Sequence, residues 1–338
     1  GQVLGQIQNR QLLLVFDNFE NVIEEALLIV DILHTAPQIK ILTTSREPLN
    51  LQEEWLVRID GLPYPEDDSA PLDEAKQYSA VRLFLERAQQ SGRSISDPTD
   101  LACAVRICRM VNGTPLAIEL GASLLRSKTC GEISDQLQHN IDVLNTSIRN
   151  IPGRHRSMRA VFEESWQLMP GQEREDFLSL AVFNGSFQGK IAQEITGTKP
   201  QNLSALVEKS LLQRSTDGAY RFHDLLTQFA SEKLGEIPHK QAELIKRFCS
   251  FYGKFVKSRE ADIKGGCQRE ALDELEQEFN HIRAAWQRAA VNRDFETIGK
   301  MVVGLNHFCF IRGYELAYQE MIRLGIKYLA PKHGEEPH

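Results

Sequence analysis

Apolar and polar residues recur on two different periods along this chain, and the change of period divides it into blocks. Near the start, the run Leu12-Leu13-Leu14-Val15-Phe16 predicts a buried strand that ends abruptly on Asp17-Asn18-Phe19-Glu20. Val22, Ile23, Ala26, Leu27, Val30 and Leu33 then fall at helical spacing, up to the breaker Pro37. Residues 39–44 (Ile-Lys-Ile-Leu-Thr-Thr) predict a second buried strand, and Trp55-Leu56-Val57-Arg58-Ile59 offers a third. Strand, helix and strand joined by short connections predict a parallel sheet.

A linker rich in proline (Pro63, Pro65, Pro71) and with an acidic cluster covers 61–71, and beyond it the period becomes helical. Helices are expected over 77–90, 98–111, 115–127 and 131–144, with Pro98 and Pro115 near helix starts, where proline is tolerated. The next block predicts helices over 158–168, 171–182, 188–196 and 201–209, then a β-hairpin at Asp217-Gly218. Helices followed by a hairpin wing predict a winged helix. From 238 onward, amphipathic stretches at 272–290, 295–313 and 314–330 suit a helical-repeat superhelix. The expected class is multidomain, mainly α with an α/β part, with domains at 1–60, 61–148, 149–237 and 238–338.

A length of 338 residues exceeds one ordinary core, and 42% hydrophobic with 25% charged residues reads as globular. The net charge of −7 argues against a dedicated nucleic-acid binder. The block 149–237 holds eleven Lys+Arg and eleven Asp+Glu, whereas duplex binding needs a positive excess. Its basic cluster, Arg154, His155, Arg156 and Arg159, is expected to serve a domain interface or a nucleotide. Six cysteines without a CxxC pair or zinc spacing suggest reduced thiols and a cytoplasmic location. No signal peptide and no apolar run of membrane-spanning length is visible.

Four short stretches carry candidate chemistry. A parallel strand delivers its last residue to the carboxyl edge, where ligands bind in open α/β folds. Asp17 is therefore placed either to hold Mg²⁺ beside a nucleotide or to cap the following helix. The second strand runs into Thr44-Ser45-Arg46, where the planar fork of Arg46 suits a phosphate; the alternative is a surface pair with Glu47. Gly113-Thr114-Pro115 is a turn between helices, and on its own ordinary helix punctuation. His223-Asp224 follows the expected wing, where the histidine is structural or faces another domain.

Order and spacing together change the picture. FDNFE (16–20), TSREPL (44–49), GTPLAIEL (113–120), LAVFNGSF (180–187) and LEQEFNHIRAA (275–285) occur in this order. The set resembles the STAND signal-transduction ATPases, NB-ARC-like relatives of the AAA+ proteins, and within them the ATPases of large bacterial transcriptional regulators. The resemblance covers about residues 10–330. It implies a partial P-loop NTPase sheet (1–60), a helical lid (61–148), a winged helix (149–237) and the start of a TPR-like superhelix (238–338). It casts Asp17 as the Walker B Mg²⁺ acid and Arg46 as the sensor-1 arginine that reads the γ-phosphate. Pro115, in the turn with Gly113, is similar to the proline that packs on adenine. Phe222-His223-Asp224 resembles the Met-His-Asp motif, whose histidine holds the ADP β-phosphate. Asn18 stands where many relatives carry a second acid, and an amide cannot serve as a base for hydrolysis; Glu20, on the following turn, is the candidate to substitute for it.

The G-x-x-x-x-G-K-[ST] phosphate loop is absent from the sequence. Gly185-Ser186-Phe187-Gln188-Gly189-Lys190-Ile191 is one residue too short and ends on Ile where the hydroxyl belongs. In the resembled family the loop precedes the Walker B strand. The chain is thus expected to be an excised piece that begins after it, with ATP/ADP and Mg²⁺ bound only in the intact protein and no cofactor bound by the piece alone. ATP hydrolysis, too, would belong to the intact protein. The expected partners are other domains of a longer chain, further copies in nucleotide-driven assembly, and a protein or small-molecule inducer at the helical repeats; neither nucleic acid nor a membrane is expected. The competing readings are a winged-helix DNA-binding regulator and a helical scaffold independent of nucleotide.

Overall fold

The computed structural model describes residues 6–66, 71–146, 156–209 and 211–329. Part of the linker (67–70) and the basic residues Arg154 and His155 lie outside them. The chain forms two compact units, one of Gly1–Gln138, Val143–Ile151 and Gln201–Arg214, the other of His139–Asp142, Pro152–Pro200 and Ser215–His338. Its secondary structure is mainly helical with small sheets.

In the first unit, β1 (Leu13–Phe16) and β2 (Lys40–Thr43) pair in parallel, Leu13 opposite Lys40 and Phe16 opposite Thr43. The period of two separates the faces. Leu14, Phe16 and Ile41 pack on clusters built from Phe19, Ala26, Ile29, Leu49, Ile32, Ala36 and Ile39. Leu13, Val15 and Leu42 point the other way, and Val15 is 59% exposed. Parallel sheets are normally covered on both faces; here, among the described residues, one face is covered.

The helix expected directly after Asp17 comes in two pieces, a 3₁₀ segment (Phe19–Glu25) and α1 (Leu27–Thr35). Asn18 adopts the left-handed conformation (φ 56°, ψ 50°), which Asn tolerates better than most residues, and so swings the chain off the strand. The third strand expected at 55–59 is not formed. Those residues are irregular, with Trp55 94% and Ile59 92% exposed. An apolar run makes a strand only where a neighbour takes up its backbone groups, and this segment joins no ladder among the described residues.

The linker leads into α2 (Leu72–Ala75), α3 (Ser79–Gln90), α4 (Pro98–Met110), α5 (Pro115–Ser123) and α6 (Cys130–Leu137). Pro98 and Pro115 open their helices as expected, Asp97 caps α4 through its side chain, and Thr129 and Glu132 form a capping box on α6. The last two helices stop short of the expected 127 and 144 and give way to 3₁₀ turns at Leu124–Arg126 and Ile141–Val143. Phe84, Ile107, Ile118 and Ile133 are fully buried.

The second unit contains α7 (Met158–Leu168), α8 (Gly171–Leu180) and α9 (Gly189–Thr196). Helix α10 (Pro200–Glu208) belongs from Gln201 onward to the first unit. The hairpin turn expected at Asp217-Gly218 is present: Ser215 N–H donates to Ala219 O (2.9 Å), and Gly218 takes φ +84°. Tyr220 exchanges both backbone hydrogen bonds with Phe187 at 2.8 Å.

Then follow α11 (Asp224–Gly235), α12 (Pro238–Ile263), α13 (Gln268–Gln277), α14 (Phe279–Val291), α15 (Phe295–Arg312) and α16 (Glu315–Leu329). The stretch expected as one helix over 272–290 breaks at Glu278. Helix α12 packs on α14 and α15, and α14 on α16. At Gly304 of α15 an added Cβ would lie 2.8 Å from the Val256 side chain, so these two helices approach closely. A buried polar knot sits in this stack: Tyr252 Oη donates to Glu278 Oε2 (2.7 Å), which also meets His281 Nδ1 (3.0 Å). Burial and the Glu278 charge push the Tyr252 phenol far above its ordinary pKa. All six cysteines are free thiols. No helix among the described residues is long and apolar enough to cross a membrane.

Candidate functional site

Asp17 is the residue after β1 and Thr44 the residue after β2, so the parallel pairing brings both to one carboxyl edge. The edge is pinned by backbone first: Thr44 N–H donates to Phe16 O, and Phe19 N–H to Thr44 O, both at 2.9 Å. Side chains complete it. Thr44 Oγ1 donates to Asp17 Oδ1 (2.5 Å) and accepts the Asn18 N–H (3.0 Å). Asp17 is exposed. Asn18, at the cap position of the 3₁₀ segment that follows, gives it no side-chain cap, and the bond to the Asp17 carboxylate comes from Thr44.

Arg46 lies two residues beyond Thr44. Glu47, the neighbouring acid, meets Lys209 Nζ at 3.0 Å. Arg46 Nε faces Glu20 Oε1 at 3.4 Å. The loop that carries Arg46 is tied at its far end, where the Glu54 carboxylate accepts the N–H groups of Leu49 and Asn50, each at 2.9 Å. Leu49 itself is buried. The arginine therefore sits on a segment held at both ends, beside the edge that carries Asp17.

A Mg²⁺ ion fits this edge in one respect. The described residues contain no group of three His, Cys, Asp or Glu side chains that would cage a metal. Mg²⁺ bound with a nucleotide needs no such cage, because one or two carboxylates, water and phosphate oxygens fill its octahedron. The exposed, oriented Asp17 suits the role of single protein carboxylate.

Gly113 has an immediate structural task. It takes φ +64°, and a Cβ there would lie 2.0 Å from Leu62 O; a Cβ on Gly61 would lie 2.2 Å from Asn112 O. The two backbone segments cross in contact, joined by Leu62 N–H to Gly113 O and Tyr64 Oη to Asn112 Oδ1, both 2.9 Å. Pro115 is the first residue of α5, and it is exposed.

His223 belongs to the second unit, just before α11. Its carbonyl accepts both the N–H (2.8 Å) and the hydroxyl (3.1 Å) of Thr227. Burial holds the imidazole below its ordinary pKa, an effect that the neighbouring Asp224 partly offsets. Phe222 before it is buried edge-on to Phe177, with ring centroids 5.2 Å apart. Of the basic cluster, Arg159 is taken up within its own unit by Asp142 and by Glu232 (2.5 Å).

The fold thus brings Asp17 and Arg46 to one edge, places Gly113 and Pro115 elsewhere in the same unit, and puts His223 in the other unit. Sequence reasoning passed over Thr44, and it weighed Glu20 only as a substitute for the acid missing at Asn18, not as the neighbour of Arg46. The signal for Thr44 was a hydroxyl at the end of the second strand, in register with the acid at the end of the first. Glu20 offered only its position one turn past Asp17.

No family model matches the chain. A Mycobacterium tuberculosis protein described as "Putative HTH-type transcriptional regulator" is 29% identical over 296 residues, which is 83% of this chain and 32% of that protein; a Mycobacterium bovis protein of the same description matches equally. An uncharacterised M. tuberculosis protein is 27% identical over 277 residues, 78% of this chain and 66% of that protein. The chain spans about a third of the length of the regulators it matches. Among solved structures, a signal transduction ATPase with numerous domains (STAND) protein with a tetratricopeptide repeat sensor, from Pyrococcus horikoshii, matches with a TM-score of 0.28 and 17% identity, over 94% of this chain and 43% of that one.

Proposed function

We propose that this chain is the regulatory part of a longer STAND-type switch protein, in which bound ATP or ADP sets the arrangement of the domains and thereby controls transcription. The observation that carries the reading is the strand edge in the first unit: an exposed carboxylate oriented by Thr44, with Arg46 on the tethered segment that follows. Nucleotide phosphates bind at such edges in open α/β folds. The ordered motifs of the sequence support the reading, as does the likeness to proteins described as HTH-type transcriptional regulators.

In this reading the first unit supplies half of a P-loop NTPase sheet and its lid. Asp17 ligates Mg²⁺, which when bound neutralises phosphate charge. Arg46 contacts the γ-phosphate and Pro115 packs on the base. The segment around the Asp217-Gly218 hairpin is a winged helix whose His223 reaches the ADP β-phosphate. Helices α12 to α16 begin a TPR-like sensor for the inducer.

The test is nucleotide binding by the protein that carries this chain together with its upstream sequence. Mg²⁺-dependent ATP binding that weakens in Asp17→Asn is expected. Binding that is absent, or equally strong in the variant with and without Mg²⁺, overturns the assignment.

A further inference from the structure

The Glu20–Arg46 pair is one-sided. Glu20 lies in the first turn after the strand edge, and its side chain is only 7% exposed, whereas Arg46 is 33% exposed. The contact runs through one carboxylate oxygen at 3.4 Å, longer than the roughly 2.7–2.9 Å of a good charge-assisted hydrogen bond. The other oxygen, Oε2, is buried without a hydrogen-bond partner. A carboxylate taken out of water needs its lone pairs satisfied, and here one oxygen has a distant cation and the other has nothing. Glu47, the adjacent acid, is occupied by Lys209.

We propose that Glu20 sets the discrimination between nucleoside triphosphate and diphosphate: it occupies Arg46 until a terminal phosphate displaces it. The proposal rests on the reading of Arg46 as the γ-phosphate contact. The arginine is the more exposed of the two, 33% against 7%, so an incoming anion reaches Arg46 before it reaches Glu20. A terminal phosphate offers two oxygens to the guanidinium fork at short range, where Glu20 offers one at long range. A diphosphate ends one phosphate short and leaves the pair in place. Glu20 is thus a positioning residue that acts through Arg46, and its charge works against the triphosphate alone.

Two measurements test this. On the present chain, phenylglyoxal modification of Arg46, followed by peptide mass analysis, should be several-fold faster in Glu20→Gln than in wild type; an unchanged rate overturns the pairing. In the nucleotide-binding longer protein, the ratio of affinities for a non-hydrolysable ATP analogue and ADP should rise roughly tenfold in Glu20→Gln, the size of one charge-assisted contact. It should fall in Arg46→Gln, and the double variant should show no gain over Arg46→Gln. If Arg46→Gln lowers the ratio while Glu20→Gln leaves it unchanged, the proposal is overturned and Arg46 keeps its role. If Arg46→Gln has no effect, the reading of Arg46 falls and the proposal with it. Should Glu20→Gln not fold, Glu20→Asp, one methylene shorter, should shift both readouts in the same direction by less.

Discussion

Thr44 holds Asp17 from the neighbouring strand: its hydroxyl donates to the carboxylate at 2.5 Å and accepts the Asn18 N–H at 3.0 Å. One oxygen thus fixes both the acid and the left-handed residue beside it. Thr44→Val keeps the shape and removes both bonds. It should lower the stability of the first unit by about 1 kcal/mol, because the site is exposed and water replaces part of the loss. Urea unfolding followed by backbone circular dichroism measures the cost, and Thr44→Ser should recover most of it.

Gly113 and Gly92 separate two costs that a glycine can hide. Both have positive φ, but a Cβ at Gly92 meets nothing within 4 Å, whereas at Gly113 it lies 2.0 Å from a carbonyl oxygen. Gly92→Ala should cost about 1 kcal/mol for the left-handed backbone alone. Gly113→Ala should cost upward of about 3 kcal/mol, because the crossing with Leu62 must open. Thermal melts of the two variants side by side give the comparison.

His223 should make the second unit less stable in mild acid. Its folded-state pKa is depressed by burial below the ordinary 6.5. Below pH 6.5 the unfolded chain therefore takes up a proton that the folded unit refuses, and stability falls until the folded imidazole also titrates. Above pH 6.5 the contribution is fully present. Urea midpoints read by the fluorescence of Trp166 and Trp286 should decline between pH 7 and about 5 more steeply in wild type than in His223→Gln, since the unfolded chain's imidazole takes up its proton in that window.

The chain by itself should not bind ATP tightly. It has no phosphate loop, and the strand edge offers one carboxylate and one arginine at the periphery of a triphosphate. Titration calorimetry with Mg-ATP at micromolar protein should give no binding isotherm. A clear micromolar isotherm would sink the idea that the phosphate cradle lies outside these residues.

The elements that sequence reasoning recovered are those whose signal is local. Proline at the first helical position of α4 and α5, Asp217-Gly218 at the hairpin, and the apolar runs that end on Asp17 and Thr44 each depend on a few neighbouring residues. Residues 55–59 misled because an apolar, β-branched run says nothing of whether an adjacent strand exists. The same limit hid the contact of Arg46 with Glu20. Glu20 and Glu47 are equally plausible on charge, and it is the chain's course after the left-handed Asn18 that brings Glu20 to Arg46. The crossing of Gly61 with Gly113 joins residues far apart in the chain, a pairing that no local pattern encodes.

The open face of the small sheet gives this protein a chemical habit as well as a shape. Leu13, Val15 and Leu42 form an exposed apolar stripe, and Trp55, Leu56, Val57 and Ile59 add further apolar side chains in contact with water. Such surface behaves as an adhesive whose effect grows with the square of concentration, because two molecules must meet for it to act. Kosmotropic salts strengthen that adhesion and low urea loosens it well before the helices melt. The concentration the molecule tolerates and the salts that precipitate it are thus governed by exposed apolar side chains on two short strands and on the irregular segment after them.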